Sequence, residues 1–339
     1  MGEPLVGLLG EAGNEVHVTT RQERKPGEGI RYFTGNAHEE DFLRGILEKG
    51  YGAVLDFMVY GSGEFRDRLP LFLENTDQYF FFSSARVYAR SGEPLTEASP
   101  RLLDVCRDRQ YLETDEYALA KAREEDLLLT CGRKNWTVIR PYITYNHRRL
   151  QLGVYEKEHW LWRALKGRTI VLPGDIAERS TTMTYGPDVA AAVAKLVGNP
   201  GALGQVFHIA TEERAAWKEV LEIYLEVIEE RTGIRPKVLM PEDSAGLQKV
   251  WNGAQIKYDR LYDRTFDGKK LAEVCGDTAF RDLRSGLREC LNAFLDSPVW
   301  LGFNWRYEAW ADRCAGERTR LGDIEGRRNR LGYLKERYL

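Results

Sequence analysis

The sequence is poor in the features that usually announce a chemistry. Its five cysteines, Cys106, Cys131, Cys275, Cys290 and Cys314, are odd in number, scattered and never spaced as Cys-x-x-Cys. That pattern speaks against a structural zinc site and a disulfide framework, and a reducing cytoplasm is the expected compartment. Five histidines, His17, His38, His147, His159 and His208, lack metal-ligand spacing, so no metal is expected. No apolar run approaches the length of a membrane-spanning helix, and no basic-then-apolar leader pattern opens the chain, so no membrane partner is expected. Neither sign of charge dominates: 49 Lys and Arg stand against 52 Asp and Glu, a formal net charge of −3. A general attraction to nucleic acid is therefore not implied. What is present, 339 residues with 43% hydrophobic and 30% charged, suits one large or two modest globular domains.

One stretch carries a chemical pattern. Gln78-Tyr79-Phe80-Phe81-Phe82 reads as a buried strand that ends in Ser83-Ser84. Asp115-Glu116-Tyr117-Ala118-Leu119-Ala120-Lys121 reads as a helix start, with Thr114 or Asp115 as N-cap. Tyr117 and Lys121, four apart, lie on one helix face. An unperturbed phenol, near about pKa 10, is too weak a base at neutral pH, and a neighbouring cation favours its phenolate. Lys121 is the candidate for that cation and for a cofactor ribose, while Ser84 is placed to hold a substrate oxygen as Tyr117 moves its proton. Alone, Tyr-x-x-x-Lys is more readily a surface helix pair; the upstream Ser-Ser strand end makes it much more specific.

Phe82-Ser83-Ser84-Ala85-Arg86-Val87-Tyr88, Tyr117-x-x-x-Lys121 and Ile139-Arg140-Pro141-Tyr142-Ile143-Thr144-Tyr145 together resemble the extended short-chain dehydrogenase/reductases. This is the NAD(P)-dependent epimerase/dehydratase group, which acts mostly on nucleotide sugars, and the resemblance spans roughly residues 2–300. It implies an α/β fold: a Rossmann-type doubly wound parallel sheet with a smaller α+β substrate domain. Such a fold needs a strand and a Gly-x-x-Gly-x-x-Gly turn before its first helix. Here the helix Pro4–Glu11 comes first and the strand Glu15–Thr20 second, with Gly2 where the last glycine would stand. The chain is therefore expected to begin inside the fingerprint, through a late start site or a shortened gene product. A third option, another segment in that place, ranks behind them.

The resemblance also assigns sites. Cofactor contacts would come from Gly2, Arg21, Asn36, Ala37, Phe57, Met58, Tyr117, Lys121, Pro141 and Ile143. Arg21, with no acid at its strand end, tilts the cofactor towards NADP over NAD. Asp56-Phe57-Met58-Val59-Tyr60 departs from the usual His-x-Ala and is closer to a branch that includes chloroplast stem-loop RNA-binding proteins. Substrate contacts would come from Ser84, Arg86, Arg148 and Arg179, although Thr181 stands where relatives carry a phosphate-clamping Arg. The basic, aromatic insert 146–178, helical over Glu156–Lys166, is either a nucleotide-sugar site or a helix packing its tryptophans on the sheet. Asp188 reads as a helix N-cap and His208 as structural. Glu116 and Asp115 leave dehydration open, but first-turn acids favoured by the helix dipole are the preferred reading.

Residues 1–145 and 180–212 are expected to form the dinucleotide domain, 146–179 and 213–300 the substrate domain, and 301–339 a charged helical tail. The expected activity couples Tyr117 proton transfer to hydride transfer on a small-molecule substrate, a nucleotide sugar or related hydroxy or carbonyl compound, in a possible homodimer. The alternative is a non-catalytic nucleotide- or RNA-binding protein on the retained fold.

Overall fold

The computed structural model describes residues 1–338. Helix α1 (Gly2–Glu11) carries Pro4 in its first turn, where the missing N–H has no helical partner to lose. Gly13 turns the chain at φ +84°, a conformation glycine adopts without strain. Strand β1 (Val16–Thr20) then pairs in parallel with β2 (Ile30–Thr34). Amphipathic α2 (Glu40–Leu47), the short β3 (Val54–Asp56) and α3 (Ser62–Glu74) lead to β4 (Tyr79–Phe82). Between β4 and α6 lie two single-turn helices, α4 (Leu102–Val105) and α5 (Arg109–Leu112). Helix α6 (Tyr117–Thr130) and β5 (Trp136–Pro141) follow.

The aromatic run explains the layering. All four residues of β4 are buried, and alternate residues face opposite ways. Phe80 and Phe82 pack with Leu5 of α1, Ile139 and Val189. Tyr79 and Phe81 pack with Phe65 and Phe72 of α3, Leu128 of α6 and Trp136. A strand covered on both faces reads as continuously apolar, as a doubly wound parallel sheet requires.

Beyond β5 the chain alternates between the sheet and a second layer. In order come β6 (Thr144–Tyr145), α7 (Lys157–Leu165), β7 (Ile170–Val171), α8 (Gly174–Ala177), β8 (Ser180–Thr181) and β9 (Thr184–Tyr185). Helix α9 (Gly186–Leu196) returns to β10 (Gln205–Ile209), which is followed by β11 (Ala215–Ala216), α10 (Trp217–Thr232) and β12 (Val238–Leu239). The short α11 (Ala245–Gln248) and α12 (Gly253–Gln255) run into a π turn, Ile256–Arg260. Helices α13 (Lys269–Cys275), α14 (Leu283–Asp296), α15 (Trp305–Ala315) and α16 (Arg327–Tyr338) complete the chain.

The main sheet has the order β10–β5–β4–β3, all parallel. The β1–β2 ribbon is a separate sheet, and among the described residues β1 does not pair with β3. Both strands thus keep an edge outside the ladder. Helix α1 is held by α9 and by the cluster around Leu5.

Three local expectations are corrected. The N-cap of α6 is Glu116, whose carboxylate accepts from the Ala118 N–H at 2.9 Å; Asp115 is instead engaged by Ser62 and Arg123. The N-cap of α9 is Tyr185, and Asp188, in its first turn, accepts from the Arg281 N–H. The α7 tryptophans leave the sheet alone: Trp160 stacks on Tyr224 of α10, and Trp162 meets Phe303 and Trp305.

Candidate active site

A cavity of about 360 Å³ opens at the C-terminal ends of β3, β4 and β5, the end of a parallel α/β sheet where ligands bind. Phe57, Met58, Val59, Phe82, Ser83, Ser84, Arg86, Tyr117, Pro141, Tyr142, Ile143 and Thr144 line it, together with Met1, Arg149, Gln151, Gln255 and Arg260. Of the residues expected from the sequence, Ser84, Arg86, Tyr117, Phe57, Met58, Pro141 and Ile143 meet here.

Ser84 leaves β4 as the N-cap of the 3₁₀ turn Ala85–Val87, and its Oγ accepts from the Arg86 N–H at 3.2 Å. That contact leaves the hydroxyl proton free to point into the cavity. Ser83 is engaged elsewhere: its hydroxyl donates to Glu125 at 2.5 Å, and Glu125 is gripped by both arms of the buried Arg140 at 2.8 and 2.6 Å. This ion pair anchors the end of β4 to α6 and β5. The strand-end pair is thereby divided into an anchoring serine and a cavity-facing one.

Tyr117 opens α6 at the cavity wall, with the Arg86 guanidinium over its ring at 5.3 Å. Arg86 is itself held by Glu116 at 2.6 Å, and its buried Nε has no partner. Glu116 also accepts from the Tyr111 hydroxyl at 3.0 Å. With the cap, Arg86 and Tyr111 all drawing on it, Glu116 is a structural carboxylate in this arrangement.

Lys121 lies one turn deeper than Tyr117 and is buried. Its Nζ donates to Glu124 at 2.9 Å and sits over the Phe81 ring at 4.5 Å. At the end of β3, Asp56 is buried, accepts from the Tyr79 hydroxyl at 2.8 Å and from the Met58 N–H at 3.0 Å, and turns the chain towards the cavity. Burial pushes the Asp56 carboxyl above its ordinary range, against those hydrogen bonds and Lys121. Phe57 stacks on Phe82, centroids 4.0 Å apart, and offers an apolar floor that is 40% exposed.

The other expected residues lie elsewhere. Gly2 begins α1, with open space around its Cα. Arg21 is exposed in the bend after β1. Asn36 accepts from the His38 N–H, and Ala37 is buried under Arg68. Arg148 is exposed near Glu3, while its neighbour Arg149 lines the cavity. Arg179 stands beside Asp263, away from the cavity lining. His208 is buried against the Asp267 carbonyl and Tyr88.

Arg260 was not marked by any sequence motif. It projects from the π turn, is fixed by the Gly153 carbonyl at 2.9 Å, and pairs with the buried Asp259, as does Arg264. A signal was present: Asp259 followed by Arg260 and Arg264, within an aromatic segment, suits a buried ion network better than a solvated loop.

The apolar floor, the Ser84 and Tyr117 hydroxyls and the strand-end backbone fit the nicotinamide end of a dinucleotide. The described residues build no glycine-rich turn for its pyrophosphate.

No family model matches the sequence. The chloroplast stem-loop binding protein of 41 kDa b from Arabidopsis thaliana is 27% identical over 223 residues, 61% of this chain. The match spans 54% of that protein, so this chain covers about half the length of the curated relative. Among solved structures, dTDP-glucose 4,6-dehydratase from Bacillus anthracis in complex with NAD aligns with a TM-score of 0.65 at 13% identity, covering 88% of this chain and 94% of that one. The enzyme WbmH of Bordetella bronchiseptica, with NAD+, gives 0.64 at 14% identity over 88% and 96%. UDP-glucuronic acid 4-epimerase from Bacillus cereus, with UDP-glucuronic acid and NAD, gives 0.64 at 13% identity over 86% and 95%. The chain has the Rossmann-type fold of the NAD-dependent epimerases and dehydratases.

Proposed function

We propose that this protein is an NAD(P)-dependent oxidoreductase of the epimerase/dehydratase type, acting on a nucleotide sugar or a related hydroxy or carbonyl compound. The observation that carries this reading is the convergence of Ser84 and Tyr117 on one cavity walled by Arg86, Arg149 and Arg260. When bound, the dinucleotide would supply hydride exchange at a substrate carbon. As phenolate, Tyr117 would take the proton from a substrate hydroxyl as that carbon gives up hydride; as phenol, it would return the proton to the carbonyl oxygen as the carbon receives hydride. The Ser84 hydroxyl donates to that same oxygen and fixes its place. Lys121 supplies positive charge on the tyrosine's own helix. The arginines suit the phosphates of a nucleotide sugar, because guanidinium groups pair with phosphate oxygens in bidentate fashion. Glu116, already committed to three donors, favours epimerisation or reduction over a dehydration that uses it as base. Arg21 favours NADP, whereas the solved structures named above carry NAD, so both nucleotides belong in the test.

Binding is read from the fluorescence of the eight tryptophans during titration with NAD, NADH, NADP and NADPH. Saturable binding is expected. Tyr117→Phe should retain it while losing turnover of a nucleotide-sugar panel by about 10²–10⁴-fold. Absence of binding at millimolar concentrations of all four would overturn the reading. The name of the Arabidopsis relative gives a second reading, stem-loop RNA binding. A salt-sensitive gel shift with an RNA hairpin, unaffected by Tyr117→Phe, would favour that alternative.

A further inference from the structure

Tyr117, Lys121 and Glu124 are spaced i, i+4 and i+7 along α6, a single stripe running from the cavity wall into the core. Lys121 is 1% exposed and Glu124 0%. One carboxylate oxygen of Glu124 accepts from Lys121 at 2.9 Å, and the other, Oε1, is buried without a hydrogen-bond partner. A buried ion pair is secure only when its remaining lone pairs are satisfied; otherwise desolvation offsets much of the attraction. The other titratable groups facing Glu124 are Asp56 from β3, Asp115 ahead of α6 and the Tyr79 phenol from β4. None of these adds positive charge, and Asp115 is itself engaged by Ser62 and Arg123.

We propose that Glu124 is a positioning residue that docks Lys121 in the core and, through its own ionisation, sets how much of the ammonium is available to Tyr117 and to a bound nucleotide. The inference rests on the proposed role of Lys121 towards that nucleotide. Burial pushes the Glu124 carboxyl up to about 7, with Lys121 opposing. Above that pH the carboxylate holds the ammonium. Below it the neutral acid keeps one weaker hydrogen bond and releases the cation's charge to the cavity side. A nucleotide that draws Lys121 towards its ribose strips Glu124 of its counter-ion, and an unpaired buried carboxylate takes up a proton from solvent. Nucleotide binding is thus coupled to proton uptake. Affinity falls as pH rises above about 7, by at most about tenfold per unit.

The test compares the wild-type chain with Glu124→Gln, which keeps the shape and removes the titration. Calorimetry of NADPH or NADH binding in buffers of different ionisation enthalpy should show uptake of up to about one proton in the wild type near pH 8 and none in the variant. The variant's affinity should be flat from pH 6 to 9. Equal uptake, or an equal fall in affinity, overturns the proposal. Carbon-13 NMR of glutamate-labelled protein provides an independent arm. The carboxyl signal missing in Glu124→Gln should titrate near pH 7 in the wild type and move higher in Lys121→Met. If neither protein binds nucleotide, the proposed function fails, and the NMR arm decides the pairing alone. A midpoint near the ordinary glutamate value, unmoved by Lys121→Met, overturns it.

Discussion

At Gly286, at the end of the first turn of α14, helix propensity and packing pull in opposite directions. An exposed helical glycine gains about 1 kcal/mol on replacement by alanine. A Cβ at Gly286 would collide with the Tyr145 hydroxyl and lie 2.9 Å from its Cζ, well inside contact distance. Overpacking of that kind costs roughly 1–3 kcal/mol, so the clash should win. Gly286→Ala is expected to lower the urea midpoint, and adding Tyr145→Phe should recover part of the loss. Tyr145→Phe alone should be neutral or slightly stabilising, because that buried hydroxyl has no partner to lose. A Gly286→Ala protein as stable as wild type would refute the contact. The same scale shows what a sequence can reveal about a site. Ser84 and Tyr117, which line the cavity, are legible because short-range spacing fixes strand ends and helix starts; Lys121 shares the Tyr117 helix face but is buried on Glu124, outside the lining. Arg260 is not legible, because a π turn more than a hundred residues downstream brings it to the cavity. Arg148 and Arg149 differ by one position, and only the fold decides which faces inward.

Elements dock here through polar groups that a hydrophobic pattern does not mark. Arg163 of α7 is fully buried and reaches Glu308 at 2.8 Å and Asp312 at 2.9 Å, both on α15. The composition of the insert suggested a ligand site or a face packed on the sheet; Arg149 does line the cavity, while Arg163 and Arg168 hold the C-terminal helices. His159 of α7 contributes a pH-dependent latch to the same junction. Its Nε2 accepts from the N–H of Asn304, whose side chain caps α15 by accepting from Arg306 and Tyr307. Accepting requires the neutral ring, and burial lowers its pKa to about 4, against the opposing pull of Glu158. The unfolded ring titrates near about 6.5. Unfolding therefore takes up a proton between those values. The latch contributes fully above about pH 6.5 and is lost as pH falls towards 4, on the order of 3 kcal/mol in all. Urea melts of wild type and His159→Gln should differ most at pH 7.5, and by roughly 2 kcal/mol less at pH 5. His208, also lowered by burial, is present in both proteins and cancels in the difference. An unchanged gap would remove His159 from this role.

Over the whole molecule, stability is expected to divide where the sheet divides. The α/β alternation, the doubly covered β4 and the helical C-terminus follow from periodicities that any window of the sequence displays. The break between β1 and β3 could be anticipated only as a strand absent from a pattern, and its energetic consequence needs the fold. Strands β4 and β5 are buried almost throughout and paired on both sides, within a ladder of four. The β1–β2 ribbon has only its internal ladder, and none of its residues is fully buried. A two-stranded unit is marginal alone, so the ribbon depends on side contacts such as His17 Nδ1 to the Tyr51 hydroxyl at 2.8 Å. Hydrogen exchange should accordingly show two regimes. Amides of Val16–Thr20 and Ile30–Thr34 should open well below the global unfolding free energy, and those of Phe80–Phe82 and Val138–Ile139 only with it. Tyr51→Phe, which removes the hydroxyl clamp at one end of the ribbon, should speed exchange in the first group several-fold and leave the second unchanged. Exchange of all these amides through one common opening would show instead that the ribbon and the four-stranded sheet unfold as a single cooperative unit.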